Sequence, residues 1–320
     1  PYIDQIKFEC SKCKHEMKRI PDILDVWFDS GNATWAQFSE EEKRKLNLEE
    51  YIADFIIEGK DQTRGWFYSL LGSGLILYDK TCYKNLTMHG FFVDEKGEKM
   101  SKSIGNFVPL EEILEKSGAD AFRLWGLSST TWDDLRFNWD SLEEAKKNLN
   151  IIINIGVWLE RFYQPEDWKK LELEYEIEDL WLLSKSNSVI MEVSRSFEEF
   201  EPFRGLNLLK NFLIEDISRF YLKRIKTRMN EKKNHLTALK VLYDVFFDSI
   251  KMLSCYCPFV SEHIYLKVYK KYEKLESISL FEWPKYNKNY INQEIESIIE
   301  HTIKILNAIA AARTKANIKL

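Results

Sequence analysis

Beyond Ser141 the apolar residues of this chain recur at spacings of three and four, and strand-like alternation nearly vanishes. Ile190, Val193, Phe197 and Phe200 form one series, Leu206, Leu209, Leu213, Ile217 and Phe220 a second, and Leu239, Leu242, Phe246, Ile250 and Leu253 a third. An α-helix turns once in about 3.6 residues, so each series is one apolar stripe that must be buried against another. Turns between helices are expected at Pro202–Gly205 and at Pro258, since proline cannot donate to the preceding turn. The stripes therefore predict an antiparallel bundle over about residues 175–275.

The first part of the chain has a different pattern. DFIIEG, beginning at Asp54, is a short apolar strand bounded by Gly59, and QTRGWFYSLLGSGLILY is long enough for a helix. NLTMHGFFV then supplies a second strand, and a crossover of this length predicts a right-handed parallel unit. A glycine-rich turn, DEKGEKMSKSIGN, leads into a helix from about Pro109 to Lys116, closed by Gly118, and another from Ala119 to about Leu127. The expected fold is α/β, the second half of a doubly wound, Rossmann-type nucleotide-binding domain, followed by an all-α helical bundle. A start at Pro1 without Met, and an end at Leu320 within a helix-like run, point to a piece of something longer.

Composition narrows the classes. A chain of 320 residues with 45% apolar and 30% charged side chains is globular rather than disordered. No run approaches the roughly 18 apolar residues of a membrane span, the longest candidate, Ile151–Leu159, being interrupted by Asn154. PYIDQIKFEC is no signal peptide. A net charge of −5 argues against a surface uniformly suited to nucleic acid, yet Arg219, Lys223, Arg224, Lys226, Arg228, Lys232, Lys233 and Lys240 make a basic stripe in an acidic chain. Of the five cysteines only Cys10 and Cys13 have metal-ligand spacing, and the pattern points to a reducing, cytoplasmic compartment.

Chemistry is concentrated in Lys99-Met100-Ser101-Lys102-Ser103, flanked by Gly97 and Gly105. Two lysines three apart in a glycine-bordered loop can close over a polyphosphate and neutralise the charge that grows as pyrophosphate leaves. A lone Lys-x-x-Lys would more simply be a solvated basic turn, but this one follows a parallel strand, on the side where open sheets bind nucleotides. Cys10-x-x-Cys13 is half of a zinc site by itself, or else two surface thiols. The cations around FYLKRIKTRM are either an RNA-facing stripe or the solvated face of a bundle helix.

Lys99–Ser103 is identical to the KMSKS signature of class I aminoacyl-tRNA synthetases, and the rest of the chain resembles the isoleucyl members of archaeal or eukaryotic type. DFIIEGKDQTRGWF (Asp54–Phe67), DVWFDSG (Asp25–Gly31), Met88-His89-Gly90, SISLFEWP (Ser277–Pro284) and ARTKANIKL (Ala312–Leu320) carry that resemblance. It implies a zinc-knuckle remnant over 1–24, the second half of the catalytic domain over 25–140, an anticodon-binding bundle over 141–290 and the start of a C-terminal junction over 291–320. It also implies that Glu58, Gly59, Asp61 and Gln62 contact the aminoacyl-adenylate, that His89 approaches the adenosine, and that Trp27 and Trp66 wall the isoleucine pocket. Lys102, assisted by Lys99 and with Ser101 in the cradle, would contact phosphate. Lys223, Arg224, Lys226 and Arg228 would meet the anticodon arm of isoleucine tRNA, and Cys10 and Cys13 would share zinc with an upstream pair. ATP with Mg2+ and isoleucine are the implied small molecules. The other signature of the class, His-x-Gly-His, does not occur, and the editing domain belongs further upstream, so the chain alone is expected to be inactive. A valyl or leucyl relative, and a non-catalytic tRNA-binding derivative, are the competing readings.

Overall fold

The computed structural model describes residues 2–23, 25–45, 52–162, 173–231 and 234–316. Lys232, Lys233 and the residues numbered 317–320 lie outside the described residues. By packing, the chain divides into two compact units, Pro1–His89 and Gly90–Leu320.

After a 3-10 turn (Ile3–Gln5) the first unit has a small antiparallel hairpin, β1 (Phe8–Glu9) and β2 (Glu16–Met17). Three short helices follow, α1 (Val26–Gly31), α2 (Ala33–Ala36) and α3 (Glu40–Lys45). The Asp25 carboxylate starts α1 by accepting from Trp27 N at 2.8 Å. Then come β3 (Ala53–Gly59), a 3-10 segment (Lys60–Arg64), α4 (Trp66–Tyr78) and β4 (Tyr83–His89). β3 and β4 pair in parallel, from Ala53 beside Tyr83 to Gly59 beside His89, so the expected strand–helix–strand unit is present. Trp35, Ile56, Phe67, Leu70 and Cys82 fill its core. Ser73 fastens α4 to the segment before it, accepting from Trp35 Nε1 at 3.0 Å and donating to the Gly31 carbonyl at 2.5 Å.

Two details differ from the sequence expectation. The helix does not begin at Gln62: the Gln62 amide oxygen accepts from Trp66 N at 2.9 Å, acting as the cap from which α4 starts. The second strand stops at His89, and Phe92–Val93 forms a separate strand, β5.

In the second unit β5 is followed by α5 (Leu110–Ser117) and α6 (Ala119–Leu127), with Gly118 between them at φ +79°, a left-handed turn that suits glycine. β6 (Leu135–Arg136), which the sequence reading did not anticipate, pairs in parallel with β5. The remaining elements described are helical: α7 (Trp139–Phe162), α8 (Ile177–Glu198), α9 (Pro202–Asn211), a π-helical stretch (Phe212–Tyr221), α10 (Leu222–Glu231), α11 (His235–Leu253), α12 (Pro258–Ile264), a π-helical turn (Tyr265–Tyr269), two 3-10 turns (Ile278–Leu280 and Lys288–Tyr290) and α13 (Gln293–Lys315).

The apolar stripes converge, except at the end of the first series, where Phe197 and Phe200 are 36% and 37% exposed. Val193, Leu206, Leu209, Leu213, Ile217, Leu242, Phe246, Ile250 and Leu253 are all 0% exposed. Burying each such side chain contributes about 1.5–3 kcal/mol before the entropy of ordering it is counted. Ile113, Ala121, Leu124 and Phe137 belong to this same core, so packing is continuous through residue 140 rather than divided there. The turn expected at Pro202–Gly205 falls earlier. Phe200 takes φ +57°, Pro202 is the first residue of α9, and Gly205 lies inside the helix, where a Cβ would come within 2.2 Å of Ser196 Oγ.

Candidate nucleotide and RNA sites

In the first unit Glu58, Gly59 and His89 gather at the carboxyl ends of two parallel strands, the rim at which open α/β sheets bind ligands. Glu58 and Gly59 end β3, and their register partners Met88 and His89 end β4. Glu58 Oε2 accepts from Gly59 N at 2.9 Å and lies 3.8 Å from His89 Nε2. Asp61 stands just past the strand, close enough that a Cβ on Gly59 would meet its Oδ1 at 2.5 Å. Gly59 thus leaves the strand end narrow enough for polar groups to converge. Trp66 is half-buried, donating from Nε1 to the Ser30 carbonyl at 3.0 Å, so its indole also holds α1 in place. Trp27, on α1, is 41% exposed.

In the second unit the signature pentapeptide sits on a loop with a defined base. Asp94 closes a turn: Oδ1 accepts from Lys96 N at 3.0 Å and Glu98 N at 2.8 Å. Its carboxyl is held below the usual carboxylate range, chiefly by the hydrogen bond from Asn106 and then by the Glu98 amide. Val93 bridges antiparallel to Lys99 and pairs in parallel with Arg136. Arg136 lies over Gly97, whose φ of +87° forms the tip of the turn. Both signature lysines are exposed, Lys99 Nζ at 4.8 Å from the Phe91 ring centroid and Lys102 Nζ at 5.4 Å from that of Phe107. Ser101 Oγ is 2.7 Å from Ser103 Oγ. Beneath the loop Phe91, Met100, Phe107, Ile113 and Phe122 line an apolar cavity of about 310 Å³.

The basic stripe is only partly a surface. Lys223, Arg224 and Lys226 are exposed on α10, and Arg219, Phe220, Lys223 and Arg224 line a groove of about 470 Å³ whose far wall is Ile303, Leu306 and Asn307 of α13. Arg228 does not belong with them. It is 6% exposed and donates to Asp179 Oδ1 at 2.7 Å and to the Asn234 carbonyl at 2.6 Å, so it holds the bundle together instead of facing solvent. Its position explains this: Tyr221, Ile225 and Arg228 lie on one helical face, and that face is the buried one.

Cys10 and Cys13 lie in the tight turn of the β1–β2 hairpin, where Cys10 N donates to the His15 carbonyl and Lys14 N to the Cys10 carbonyl, each at 2.9 Å. The backbone N–H groups of Cys13 and then Lys12 hold the Cys10 thiol below its ordinary value, which favours the thiolate that a metal requires. The pair suits two ligands of a tetrahedral site. Among the described residues no group of three or more possible ligands assembles, so two further donors would be needed to complete it.

Sequence reasoning missed Asp94, Asn106 and Arg136, which support the loop, and Asp179, the partner of Arg228. Asp94 was visible in principle, because an Asp followed three residues later by Gly is a turn signal. Asn106 carried no signal of its own.

Two family models match this chain: tRNA synthetases class I (I, L, M and V) over residues 2–138, and the anticodon-binding domain of tRNA ligases over residues 179–320. The chain belongs to the class I tRNA synthetases. Isoleucine–tRNA ligases are among its curated relatives. That of Pyrococcus furiosus is 36% identical over 329 residues, that of Sulfolobus acidocaldarius 39% over 330 and that of Saccharolobus solfataricus 40% over 332. Each match covers 100% of this chain but 31%, 31% and 33% of the respective relative, so the chain spans about a third of their length. Among solved structures, a LeuRS–tRNA–LeuAMS ternary complex from Agrobacterium radiobacter aligns with a TM-score of 0.65 at 18% identity, covering 89% of this chain and 36% of that one. Mycobacterium tuberculosis methionyl-tRNA synthetase in complex with methionyl-adenylate aligns at 0.61 and 20%, covering 75% and 49%. At these identities the likeness is one of fold.

Proposed function

We infer that the complete protein joins isoleucine to its tRNA through an isoleucyl-adenylate, and that this chain contributes the KMSKS half of the active site and the anticodon-binding bundle. The observation that carries this reading is the intact Lys99–Ser103 segment on an anchored loop with both lysines exposed. Lys102, with Lys99 beside it, places positive charge where the departing pyrophosphate gathers negative charge, and Ser101 lends its hydroxyl to the cradle. Mg2+ bound with ATP would supply further positive charge at the phosphates beside these lysines. Glu58, Gly59, Asp61 and Gln62 hold the adenylate, with Glu58 on its amino-acid and ribose side and His89 towards the adenosine. Glu58, Gly59 and His89 lie at the ends of parallel strands, with Asp61 and Gln62 in the 3-10 segment that follows β3, and that placement supports this assignment. Trp27 and Trp66 wall the pocket for the aliphatic side chain.

In the second unit, the exposed face of Lys223, Arg224 and Lys226 meets phosphates of the tRNA anticodon arm. The family model over residues 179–320 supports that role. Cys10 and Cys13 supply two zinc ligands, and the free thiols suit the cytoplasm.

The test is ATP–pyrophosphate exchange by the intact protein with isoleucine, valine and leucine in turn. Exchange that is fastest with isoleucine is expected. A preference for leucine or valine would reassign the amino acid. No exchange with any of them, alongside retained tRNA binding, would make the protein a non-catalytic tRNA binder.

A further inference from the structure

The turn that carries Lys102 begins and ends at one side chain. Asn106 Oδ1 accepts from Ser101 N at 2.8 Å, just before Lys102, while Asn106 itself stands just after Gly105, where the turn closes. Within the turn, the Ser101 carbonyl accepts from Ile104 N at 3.3 Å and from Gly105 N at 3.2 Å. Gly105 takes φ +79°, a conformation that a side chain would strain. On its other side the same carboxamide donates from Nδ2 to Asp94 Oδ2 at 3.0 Å and, more weakly, to the Lys99 carbonyl at 3.4 Å. Asp94 is itself fixed, since its Oδ1 is taken by the Lys96 and Glu98 amides and its backbone N donates to the Glu98 carbonyl at 2.9 Å. A chain of hydrogen bonds thus runs from a rigid turn, through one carboxamide, to the amide that precedes Lys102.

We propose that Asn106 is a positioning residue for the signature lysines, with Asp94 as its anchor: the pair holds the Lys102 turn in the shape that meets the leaving phosphates. This rests on the adenylate-forming reading above. Neither residue needs to touch substrate. A side chain ending in a mobile ammonium gains most when the backbone beneath it is already placed, because misplacement of about 1 Å can cost roughly a hundredfold in rate. Asn suits the post where Asp or Ala would not. It accepts from Ser101 N with one atom and donates to a carboxylate with the other, and both must occur at once.

That division of donor and acceptor supplies a sharp test in the intact protein. Asn106→Asp alone sets two carboxylates against each other, and Asp94→Asn alone sets amide against amide. Together, Asp94→Asn with Asn106→Asp restores the pairing in reverse: Asn at 94 still accepts from Lys96 and Glu98 and donates to Asp at 106, which still accepts from Ser101 N. Two readouts are taken: kcat and KM for ATP–pyrophosphate exchange, and hydrogen–deuterium exchange of the Ser101, Ile104 and Gly105 amides without substrate. Each single variant, and Asn106→Ala, is expected to lower kcat by about tenfold to a hundredfold, with KM for isoleucine changed by less than about threefold, and to speed amide exchange in the loop. The exchanged pair is expected to recover most of both.

Loss of amide protection with kcat unchanged would overturn the positioning role. So would an effect confined to the KM for isoleucine, or a reciprocal pair no better than the worse single variant. If the unaltered protein showed no pyrophosphate exchange, the adenylate-forming reading would fall by itself. The amide protection of the single and paired variants would still report whether the clamp exists.

Discussion

Arg228 and Asp179 face one another at 2.7 Å inside the bundle, the guanidinium side chain 7% exposed and the carboxylate 0%. Tyr221 Oη donates to the same carboxylate oxygen at 2.5 Å, and Asp179 Oδ2 accepts from Glu176 N at 2.9 Å. Through Arg228 the network reaches the Asn234 carbonyl, so one ion pair joins the start of α8, the end of α10 and the start of α11. Burial pushes the Tyr221 hydroxyl well above its ordinary value, which keeps it a donor at any working pH.

Removing one partner of such a pair leaves the other charge buried and uncompensated, which costs about 3–5 kcal/mol, whereas replacing both by apolar groups costs far less. Arg228→Met is therefore expected to shift urea unfolding of the chain strongly, and Arg228→Met with Asp179→Leu to recover much of that loss. A single variant as stable as the parent would show that the pair contributes nothing.

Asp216, on the π-helical stretch, is pushed up to about 7, first by burial, with Glu300, Glu215 and Glu296 adding to the shift and Lys185 opposing it. Glu296 is itself held by the hydroxyls of Ser184 and Ser188. The folded state binds the Asp216 proton more tightly than the unfolded state does. Its contribution is fully present below the ordinary carboxylate range of about 4, declines above it, and is gone once pH has risen through about 7. Asp216→Asn keeps the side chain neutral throughout. Urea midpoints should coincide for parent and variant near pH 4 and favour the variant increasingly up to about pH 8. A constant difference between them across that range would count against the shift.

The helices after residue 141 were legible because three or four apolar residues per two turns leave few alternatives, and Lys99–Ser103 because its chemistry lies in consecutive residues. Arg228 was misjudged for the opposite reason. Charge pattern was read without phase, although Tyr221 and Ile225 already marked the buried face. Phase itself was disturbed by the π-helical winding of Phe212–Tyr221, which buries Tyr221 at 0% and leaves Phe220 half-buried, where the stripe of threes and fours had ended on Phe220. The clamp of Asp94 on Asn106 joins residues twelve apart through side-chain geometry, and no periodicity reports such a bond.

For zinc, the intact protein is expected to bind about one ion per chain, with thiolate sulfur at roughly 2.3 Å. Cys10→Ser or Cys13→Ser should release it, as read by metal analysis and X-ray absorption. Full occupancy after both substitutions would make the thiols bystanders.

Lys102→Ala in the intact protein should slow isoleucine activation by about a hundredfold to a thousandfold while isoleucine affinity changes little, because its charge acts on the phosphates as they separate. Stopped-flow or pyrophosphate-exchange kinetics measure both quantities. A loss confined to isoleucine binding would remove Lys102 from that role.

The groove between α10 and α13 divides the basic stripe into residues with different expected effects on RNA. Arg219, Lys223 and Arg224 line it together with Phe220, whose ring lies 5.6 Å from the Arg224 guanidinium. Lys226 is exposed beyond it, and Arg228 is buried. Phosphates bound along this face would release counterions, so affinity for an anticodon-arm RNA should fall steeply with salt. Each phosphate-contacting cation that is removed should reduce the log–log slope by roughly 0.7–0.9. Arg219 already pairs with Glu215 at 2.6 Å, so its removal should matter less than that of Lys223 or Arg224. Phe220→Leu should keep the slope but weaken binding at every salt concentration if an unpaired base stacks there, since stacking releases no ions. Arg228→Lys keeps the buried charge and should leave the slope untouched in whatever fraction stays folded. Fluorescence titrations at several salt concentrations, with these variants one at a time, separate the three kinds of effect. If Lys223→Ala and Arg224→Ala bind the RNA with unaltered affinity and slope, the face is merely solvated, and the RNA-contacting surface lies elsewhere on the bundle.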